Sequence, residues 1–368
     1  MNFTHLHVHT EYSLLDGSNK IKEYVARVKE LGMDSAAITD HGVMFGVIDF
    51  YREAKAAGIN PVLGCEVYVA PNSRFDKETS GGEDRYHHLV LLAENNTGYR
   101  NLMKIVSKGF VEGFYYKPRV DMEVLREYHE GIIALSACLA GEVQRYLVRG
   151  MYEEAKRSAL KYEDIFGKGN YFLELQDHGI PEQKSVNQQL LRMSRELGIE
   201  LVATNDVHYT YAQDADPHDI LLCIQTGKKL ADEDRMRYEG GQYYVKSPEE
   251  MEKLFPYALE ALENTHKIAM RCHVEIEFGV TKLPKYDVPE GRHSKLKKYF
   301  INEKILKEER DKVLLLADES HILWIVGHRI SEQCRVTQDT KTILKIQVRE
   351  ETNRGEQDSS IIVGGESE

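Results

Sequence analysis

The sequence predicts a barrel-like α/β domain, and three recurring features of the chain indicate it. Segments with a helical spacing of apolar residues alternate with short apolar strands, glycines follow several of the helices, and polar residues follow the strands. This order is typical of βα units built around parallel strands. In barrels of this kind, polar residues at the carboxyl ends of the strands form the active site.

The first unit shows the pattern most clearly. Residues 19–31 place their apolar side chains on one helical face, and Gly32 is a suitable helix C-cap. An apolar strand at 36–38 follows and leads to Asp40 and His41. The later elements, in chain order, are a helix at 46–57 before Gly58, a strand at 62–69, a surface loop at 72–85, strands at 89–92 and 132–135, an exposed amphipathic helix at 151–166, a helix before Gly198 and a strand at 201–204.

The chain length of 368 residues fits two domains, or one large α/β domain with an appendage. Two prolines and a glycine within 284–293, with more basic residues after them, indicate a domain boundary there. We therefore predict one domain at 1–288 and a small α+β module at 289–348, with Trp324 half-buried on a strand. Residues 349–368, rich in Glu, Gly and Ser, are expected to be disordered.

Composition and charge argue against several classes of protein. The 42% of hydrophobic residues is ordinary for a globular protein, no apolar run approaches the ~20 residues that cross a bilayer, and the N-terminus does not look like a signal peptide. We expect a cytoplasmic protein with no membrane partner. The net charge of −12 argues against nonspecific affinity for nucleic acid over the whole surface, but it leaves room for a local basic track. Five scattered cysteines without a CxxC pair argue against a disulfide framework.

Three histidines alternate at the N-terminus. His5, His7 and His9 share one face if this segment is a strand, because side chains alternate along a strand. A single histidine is more often structural, but three at this spacing favour a metal site. Imidazole suits Zn, Mn or Fe.

Carboxylate and imidazole groups pair twice at the ends of predicted strands. Asp40 and His41 follow one apolar strand, and Asp206 and His208 follow another. Each pair, taken alone, is as typical of a satisfied surface group as of a metal site. Asp16, in a Leu-Asp-Gly turn signal, is by itself more typical of a turn former.

Three further groups fall at predicted strands. Glu66 lies within an apolar strand, where a carboxylate is costly to bury unless a salt bridge or a metal satisfies it. His87 and His88 precede a strand, so one of them can face the same end as the other candidates. Cys138 follows a strand, although a buried cysteine is usually only a small hydrophobic residue. Together these groups exceed what one ion requires, and two or three adjacent ions commonly serve to cleave phosphate esters.

These residues and their neighbours carry a family resemblance. The segments LHVHTEYSLLDG, TDHGVMFGVIDFY, AENNTGYRNLMKI, EGFYYKPRVD and LLCIQTGKKL resemble the PHP (polymerase and histidinol phosphatase) domain at the start of bacterial DNA polymerase III alpha subunits. The resemblance covers about residues 1–285 and implies a distorted seven-stranded (β/α) barrel with a trinuclear centre of divalent Zn, Mn or Fe. The metal ligands that it implies are His7, His9, Asp16, His41, Glu66, His88, Cys138, Asp206 and His208.

The resemblance also implies roles and partners. The expected catalytic residues are Asp206, His208, His9 and Asp40, the last as support beside the ligands. His5 is outside the ligand set. Some relatives perform metal-dependent 3′–5′ exonuclease proofreading, and in others the domain is only structural. The expected partners are the 3′ ends of DNA and, in full-length relatives, the other subunits of the replicative polymerase.

Two hypotheses about function follow. The first is a metal-dependent phosphoesterase of the 3′–5′ exonuclease type, which the complete ligand set favours. The second is a non-catalytic, metal-stabilised scaffold module of the replicative polymerase. No palm carboxylates can be assigned in the chain, so we expect no polymerase activity.

The region after residue 295 resembles a different family. The features KKYFI, ERD before an apolar strand, ILWIVGHRIS and VTQDTK resemble the C-terminal substrate-binding module of bacterial tRNA(Ile)-lysidine synthetase. The resemblance covers about residues 295–348, and no ATP-binding part of that enzyme is recognised in the chain. A generic small α+β module is the alternative.

Overall fold

A curled mixed β-sheet with helices packed around it forms the N-terminal part of the protein. The structure is a computed structural model that describes residues 2–77, 85–280, 296–318, 321–331, 334, 344–347 and 364–367. Contacts between residues divide the chain into two units, Met1–Gly279 and Val280–Glu368.

The elements predicted for the first unit are present in the predicted order, with bounds that agree to within about two residues, and the structure adds others that were not predicted. Its helices are α1 (Ile21–Glu30), α2 (Val47–Ala57), α3 (Asn96–Val111), α4 (Met122–Glu127), α5 (Glu142–Val148), α6 (Tyr152–Phe166), α7 (Pro181–Leu197), α8 (Ala215–Thr226), α9 (Pro248–Leu254) and α10 (Leu259–Arg271). Its strands are β1 (Ser35–Ile38), β2 (Asn60–Val69), β3 (His87–Ala93), β4 (Phe114–Tyr115), β5 (Lys117–Val120), β6 (Ile132–Leu135), β7 (Tyr171–Leu175) and β8 (Leu201–Ala203).

Glycines end the helices that precede two site-bearing strands. Gly58 follows α2 with φ 76°, and Gly198 follows α7 with φ 74°, both left-handed. Glycine adopts this conformation without steric penalty, which lets the chain turn directly into β2 and β8. The predicted C-caps are confirmed at both positions.

The strands run in the order β4-β5-β2-β3-β6-β7-β8, with β1 also paired to β2. The pairs β1–β2, β2–β5, β6–β7 and β7–β8 are parallel, as the βα rhythm predicts. The expectation of parallel strands is wrong at β3, which runs antiparallel to both β2 and β6. The described part of the connection from β2 to β3 contains no helix, whereas a parallel pair usually needs a crossover helix.

The N-terminal segment joins the two ends of the curled sheet. Val8 forms a parallel bridge with Val207, and the N–H of His9 donates to the carbonyl of Val207 at 2.7 Å. On the other side, the N–H of Thr39 donates to the carbonyl of Val8 at 2.9 Å. This segment, with β1, β2, β3, β6, β7 and β8, makes up the distorted seven-stranded barrel.

The expected alternation of the first three histidines is interrupted. The N–H of Ala37 on β1 donates to the carbonyl of His5 at 3.2 Å, and that of Thr39, just after β1, donates to the carbonyl of Val8 at 2.9 Å. The donors are two residues apart, whereas the acceptors are three residues apart. The extra residue is a bulge, which changes the side that the following side chains face. His7 and His9 therefore face the barrel mouth, whereas Nε2 of His5 lies 2.9 Å from the carbonyl of Lys246. His5 does not share their face.

The second unit is a small α+β arrangement with its own core. Helix α11 (Leu296–Asn302) precedes three antiparallel strands, β9 (Leu315–Ala317), β10 (Ile322–Ile325) and β11 (Arg329–Ile330), in the order β11-β10-β9. Phe300, Ile305 and Ile325 are buried together, and Trp324 is partly buried as predicted.

A second strand pair lies further along this unit. β12 (Leu344–Gln347) pairs antiparallel with β13 (Gly364–Ser367). β13 lies within residues 349–368, for which the sequence predicts disorder, and that expectation is wrong there. The rest of that stretch and the predicted boundary at 284–293 lie outside the described residues.

Among the described residues, we find no helix with both the length and the apolar character needed to cross a membrane.

Candidate metal centre

The barrel strands direct one set of side chains inward, and polar groups continue that set at the mouth. On β2, Glu66 lies an even number of residues from the buried Val62, so both side chains face the same side of the sheet. On β3, His88 shares its face with Val90 and Leu92 in the same way. The inner apolar layer therefore ends where these polar side chains begin. The sequence dictates this arrangement locally, because a period of two places them on the buried face.

Glu66 lies at the middle of the cluster. Its Oε1 is 2.8 Å from Nδ1 of His88 and 3.4 Å from Nε2 of His7. Its Oε2 is 2.5 Å from Nδ1 of His41 and 3.6 Å from Nε2 of His9. One carboxylate thus touches four imidazoles from three parts of the chain.

Asp206 supplies a second carboxylate to the same histidines. Its Oδ1 lies 3.2 Å from Nε2 of both His7 and His9. The ring of His208 lies against the ring of His9, with centroids 4.4 Å apart. Asp16 reaches the cluster from the other side, with Oδ2 3.0 Å from Nε2 of His41.

Cys138 completes the set of nine predicted ligands. Its Sγ lies 3.7 Å from Nδ1 of His88. His88, rather than its neighbour His87, faces the cluster, as the sequence analysis proposed. The structure brings all nine side chains together, although they come from positions spread between residues 7 and 208.

The ligand atoms at the centre lie within ion-pair distance of one another, but those named next make no hydrogen bond within the described structure. The unsatisfied buried atoms include Nε2 of His7 and His9, both ring nitrogens of His41, Oε2 of Glu66 and Oδ1 of Asp206. A buried polar atom without a partner costs about 1–3 kcal/mol, so several that converge need a shared partner. Imidazole nitrogens and carboxylate oxygens fit divalent Zn, Mn or Fe. Three groups have ligand atoms within 4.8 Å of one another: His9, His41 and His208; His7, His9 and Glu66; and His41, Glu66 and His88.

Backbone strain accompanies three of these positions. Leu15, Ala137 and Asp206 have φ of 62°, 64° and 42°, a left-handed conformation that side chains with a β-carbon rarely adopt. The first two directly precede Asp16 and Cys138. Such strain persists only where the surrounding structure enforces it, and it gathers at functional sites.

The charges in the cluster shift one another's protonation. Burial raises the pKa of Glu66, but His88 and His41 outweigh it and hold the pKa well below its usual value. Burial also opposes ionisation of Asp206, whose pKa is nevertheless lowered by His7 and His208. Burial, with His41 and His208, lowers the pKa of His9 to about 3. The carboxylates are therefore ionised and His9 is neutral, which are forms that bind metal. His41 differs, because Glu66 and Asp16 outweigh burial and raise its pKa to about 10, so a metal ion must displace its proton.

Asp40 supports the cluster without joining it. Its Oδ1 accepts hydrogen bonds from the N–H of Thr10 at 2.6 Å and from Oγ of Ser13 at 2.7 Å, and its Oδ2 accepts one from Oγ1 of Thr10 at 2.8 Å. Ser13 Oγ in turn lies 3.1 Å from Nδ1 of His9. The expectation that Asp40 is catalytic is not supported by this placement, because both of its oxygens are engaged with the loop after His9.

Glu174 on β7 is a site residue that the sequence analysis missed. It is fully buried, and its Oε1 lies 2.7 Å from Nδ1 of His7. A carboxylate on one ring nitrogen orients the other nitrogen towards a metal. The signal was available, because Glu174 interrupts an apolar strand just as Glu66 does.

Tyr238 is a second residue that was missed. Its hydroxyl lies 3.1 Å from Oδ1 of Asp16 and 3.2 Å from Nε2 of His208. It lies in the irregular segment after α8, more than 20 residues beyond His208, where no sequence pattern indicates a site residue.

Comparison with known proteins supports the resemblance seen in the sequence. Residues 5–178 match the family described as the PHP domain. The DNA polymerase III subunit alpha of Treponema pallidum (strain Nichols) is 46% identical over 319 residues, which cover 87% of this chain and 27% of that protein. That of Thermus aquaticus is 44% identical over 301 residues, covering 79% of this chain and 25% of that protein. The chain thus spans about a quarter of the length of these curated relatives.

Solved structures also align with the chain. An amidohydrolase from Chromobacterium violaceum aligns over 56% of this chain and 88% of its own, with a TM-score of 0.38 and 15% identity. A putative metal-dependent phosphoesterase from Bifidobacterium adolescentis covers the same shares, with a TM-score of 0.34 and 14% identity.

Two family matches fall on different parts of the chain. The PHP match ends at residue 178, before Asp206 and His208, yet the fold returns both side chains to the cluster built by the matched residues. A second match covers residues 285–348 and is described as the TilS substrate C-terminal domain. Residues 5–178 therefore match the PHP domain family, and residues 285–348 are similar to the TilS substrate C-terminal domain.

Proposed function

We propose that the first unit is a metal-dependent phosphoesterase that removes nucleotides from the 3′ ends of DNA. The observation that carries this proposal is the convergence of buried imidazole and carboxylate atoms that have no hydrogen-bond partner in the described structure. Such an arrangement costs free energy unless cations occupy it. The similarity to DNA polymerase III alpha subunits supports DNA as the substrate and other polymerase subunits as partners.

The nine clustered side chains would share two or three divalent ions. The proposed ligands are His7, His9, Asp16, His41, Glu66, His88, Cys138, Asp206 and His208. When bound, Zn, Mn or Fe ions supply Lewis acidity, which activates water and neutralises charge on the phosphoryl oxygens.

The chain's own residues prepare this site. Glu174 holds the ring of His7 so that Nε2 faces the cluster, and Ser13 lies against Nδ1 of His9. The side chains of His7, His9 and Glu66 are almost fully buried, so bulk water is excluded from the inner side of the cluster. We assign catalysis to Asp206, His208 and His9. These three residues lie at the border between the fully buried ligands and the ligands that are partly exposed to solvent.

The test is degradation of a 5′-labelled single-stranded oligonucleotide by purified chain loaded with Mn or Zn. The Asp206→Asn change removes a charge and keeps the shape, so metal affinity or activity should fall about 10–100-fold. The His9→Ala change should cause a similar loss. The loss in the double variant should be far smaller than the two single losses combined, because both residues serve one cluster. Asp164→Asn, which changes an exposed carboxylate on α6, is the matched control.

Two outcomes would count against the proposal. Activity that survives Asp206→Asn unchanged would indicate a contaminant or another site. Stoichiometric metal binding without any release of nucleotides would favour the alternative, a metal-stabilised scaffold of the polymerase.

A further inference from the structure

A tight hairpin stands at the edge of the metal cluster. β4 and β5 pair antiparallel, with Tyr115 opposite Lys117, so that Tyr116 alone forms the turn. Its side chain is 64% exposed. We call residues 114–119 the edge hairpin.

The turn residue of the edge hairpin is strained. Tyr116 has φ 60°, a left-handed conformation that glycine adopts freely and that a residue with a β-carbon adopts at an energetic cost. An exposed aromatic ring does not repay this cost through burial. Strained positions gather where a protein contacts a ligand.

Two cations lie over aromatic rings at the same edge. The guanidinium carbon of Arg85 is 4.5 Å from the ring centroid of Tyr116, and Nζ of Lys117 is 5.3 Å from that of Tyr68. In the part of the chain that the structure describes, neither cation has a carboxylate at ion-pair distance. Among the described residues, both cations thus contact aromatic rings rather than carboxylates.

The edge hairpin is continuous with the metal cluster. The ring of Tyr68 lies 6.2 Å from that of His41 and 5.3 Å from that of His88, and the ring of Tyr86 is stacked on His88 at 6.0 Å. His41 and His88 retain 14% and 16% side-chain exposure, whereas the innermost histidines retain none. The cluster thus reaches solvent on the side where the edge hairpin stands.

We propose that the edge hairpin, together with Arg85, is a binding platform for a single-stranded polynucleotide that leads its 3′ end to the metal cluster. Exposed rings stack on unpaired bases regardless of sequence, and cations between them pair with the phosphates. A duplex would not fit this chemistry, because its bases already stack on one another. The platform also reconciles a net charge of −12 with a nucleic-acid substrate, since only local charge is needed. The inference rests on the proposed function.

The test measures binding separately from cleavage. Fluorescence anisotropy of 5′-fluorescein-labelled (dT)12 is followed in EDTA with the full chain. Tyr116→Gly should weaken binding roughly 5- to 150-fold through loss of base stacking. It should leave thermal stability equal or higher, because glycine relieves the left-handed turn. Lys117→Gln should reduce the slope of log affinity against log salt by about 0.7, the value for one phosphate contact on a single strand.

The matched control is Tyr257→Ala. Tyr257 is also an exposed tyrosine, but it lines a surface cavity with Leu201, at the opposite end of β8 from Asp206. Its loss should leave (dT)12 binding unchanged. Unchanged binding by Tyr116→Gly, equal losses in both variants, or tighter binding of a 12-base-pair duplex than of (dT)12 would overturn the platform.

The platform and the proposed function fail in distinguishable ways. If the chain releases no nucleotides but Tyr116→Gly weakens (dT)12 binding, the platform stands and hydrolysis does not. If the chain does hydrolyse (dT)12, Tyr116→Gly should raise KM and leave kcat unchanged. Hydrolysis with an unaltered KM in that variant would overturn the platform and leave the proposed function intact.

Discussion

Replacing Glu174 by glutamine tests how the metal centre is held. In the structure, Oε1 of Glu174 meets Nδ1 of His7 at 2.7 Å and accepts from Oγ1 of Thr204 at 2.5 Å, while Oε2 accepts from the N–H of Ala137 at 3.0 Å. Both oxygens therefore face donors. A carboxylate satisfies this arrangement because it accepts at both atoms.

A glutamine cannot satisfy the same donors. It has one acceptor oxygen and one NH2 group, so in either orientation a donor faces a donor, at a cost of about 1–3 kcal/mol for a buried group. If the NH2 group faces His7, that ring must place its proton on Nε2 and loses the lone pair aimed at the cluster. We expect Glu174→Gln to lower metal affinity about 10–100-fold. The free energy of unfolding of the metal-free chain should fall by about 1–3 kcal/mol.

The assay is a competition titration of zinc against a chromophoric chelator, with urea unfolding of the metal-free chain in parallel. Glu142→Gln is the control, because Glu142 accepts two hydrogen bonds, from Lys161 and Tyr162, on the outer helix α5. It should leave zinc affinity unchanged even if stability falls. A Glu174→Gln chain that folds and binds zinc as tightly as the parent would refute the reasoning.

Four further outcomes are expected. First, metal affinity should rise between about pH 6 and 9. Burial lowers the pKa of His41, but Glu66 and Asp16 outweigh this effect and raise the pKa to about 10. Over this pH range, a metal ion must therefore displace a proton from His41. Calorimetry in buffers of different ionisation heat measures that proton, and a pH-independent affinity would contradict the argument. Gly98→Ala should lower the free energy of unfolding by roughly 1–3 kcal/mol, because its β-carbon would lie 1.8 Å from the carbonyl oxygen of Gly131; an unchanged urea midpoint would show that the backbone yields freely. Elemental analysis of the dialysed chain should find two or three divalent ions per chain. A chain that folds identically but binds no metal when supplied with Zn or Mn would contradict the assignment of the metal site. Primer extension should be absent, and incorporation by chain free of contaminating polymerase would overturn that expectation.

Local patterns account for most of what the sequence predicts correctly. A glycine such as Gly58 ends a helix because only its own backbone is involved, and a strand such as β2 follows from a run of apolar residues that any partner can bury. The apolar strand around Glu66 marked this carboxylate as a candidate before any neighbour was known, whereas the choice of His88 over His87 came from the family resemblance. The ligand candidates emerged because an ionisable group inside or directly after an apolar strand conflicts with its surroundings unless something binds it.

The sequence by itself determined the elements, their order and the chemical character of the cluster, since each depends on residues close together along the chain. Only the tertiary structure decided that β3 runs antiparallel, that a bulge turns His5 away from His7 and His9, and that Glu174 holds His7 while Asp40 is engaged by the loop after His9. These outcomes depend on contacts between residues up to 241 positions apart, as between His5 and Lys246. A spacing rule carries no information about such contacts, because they depend on strand register and loop closure in the folded barrel.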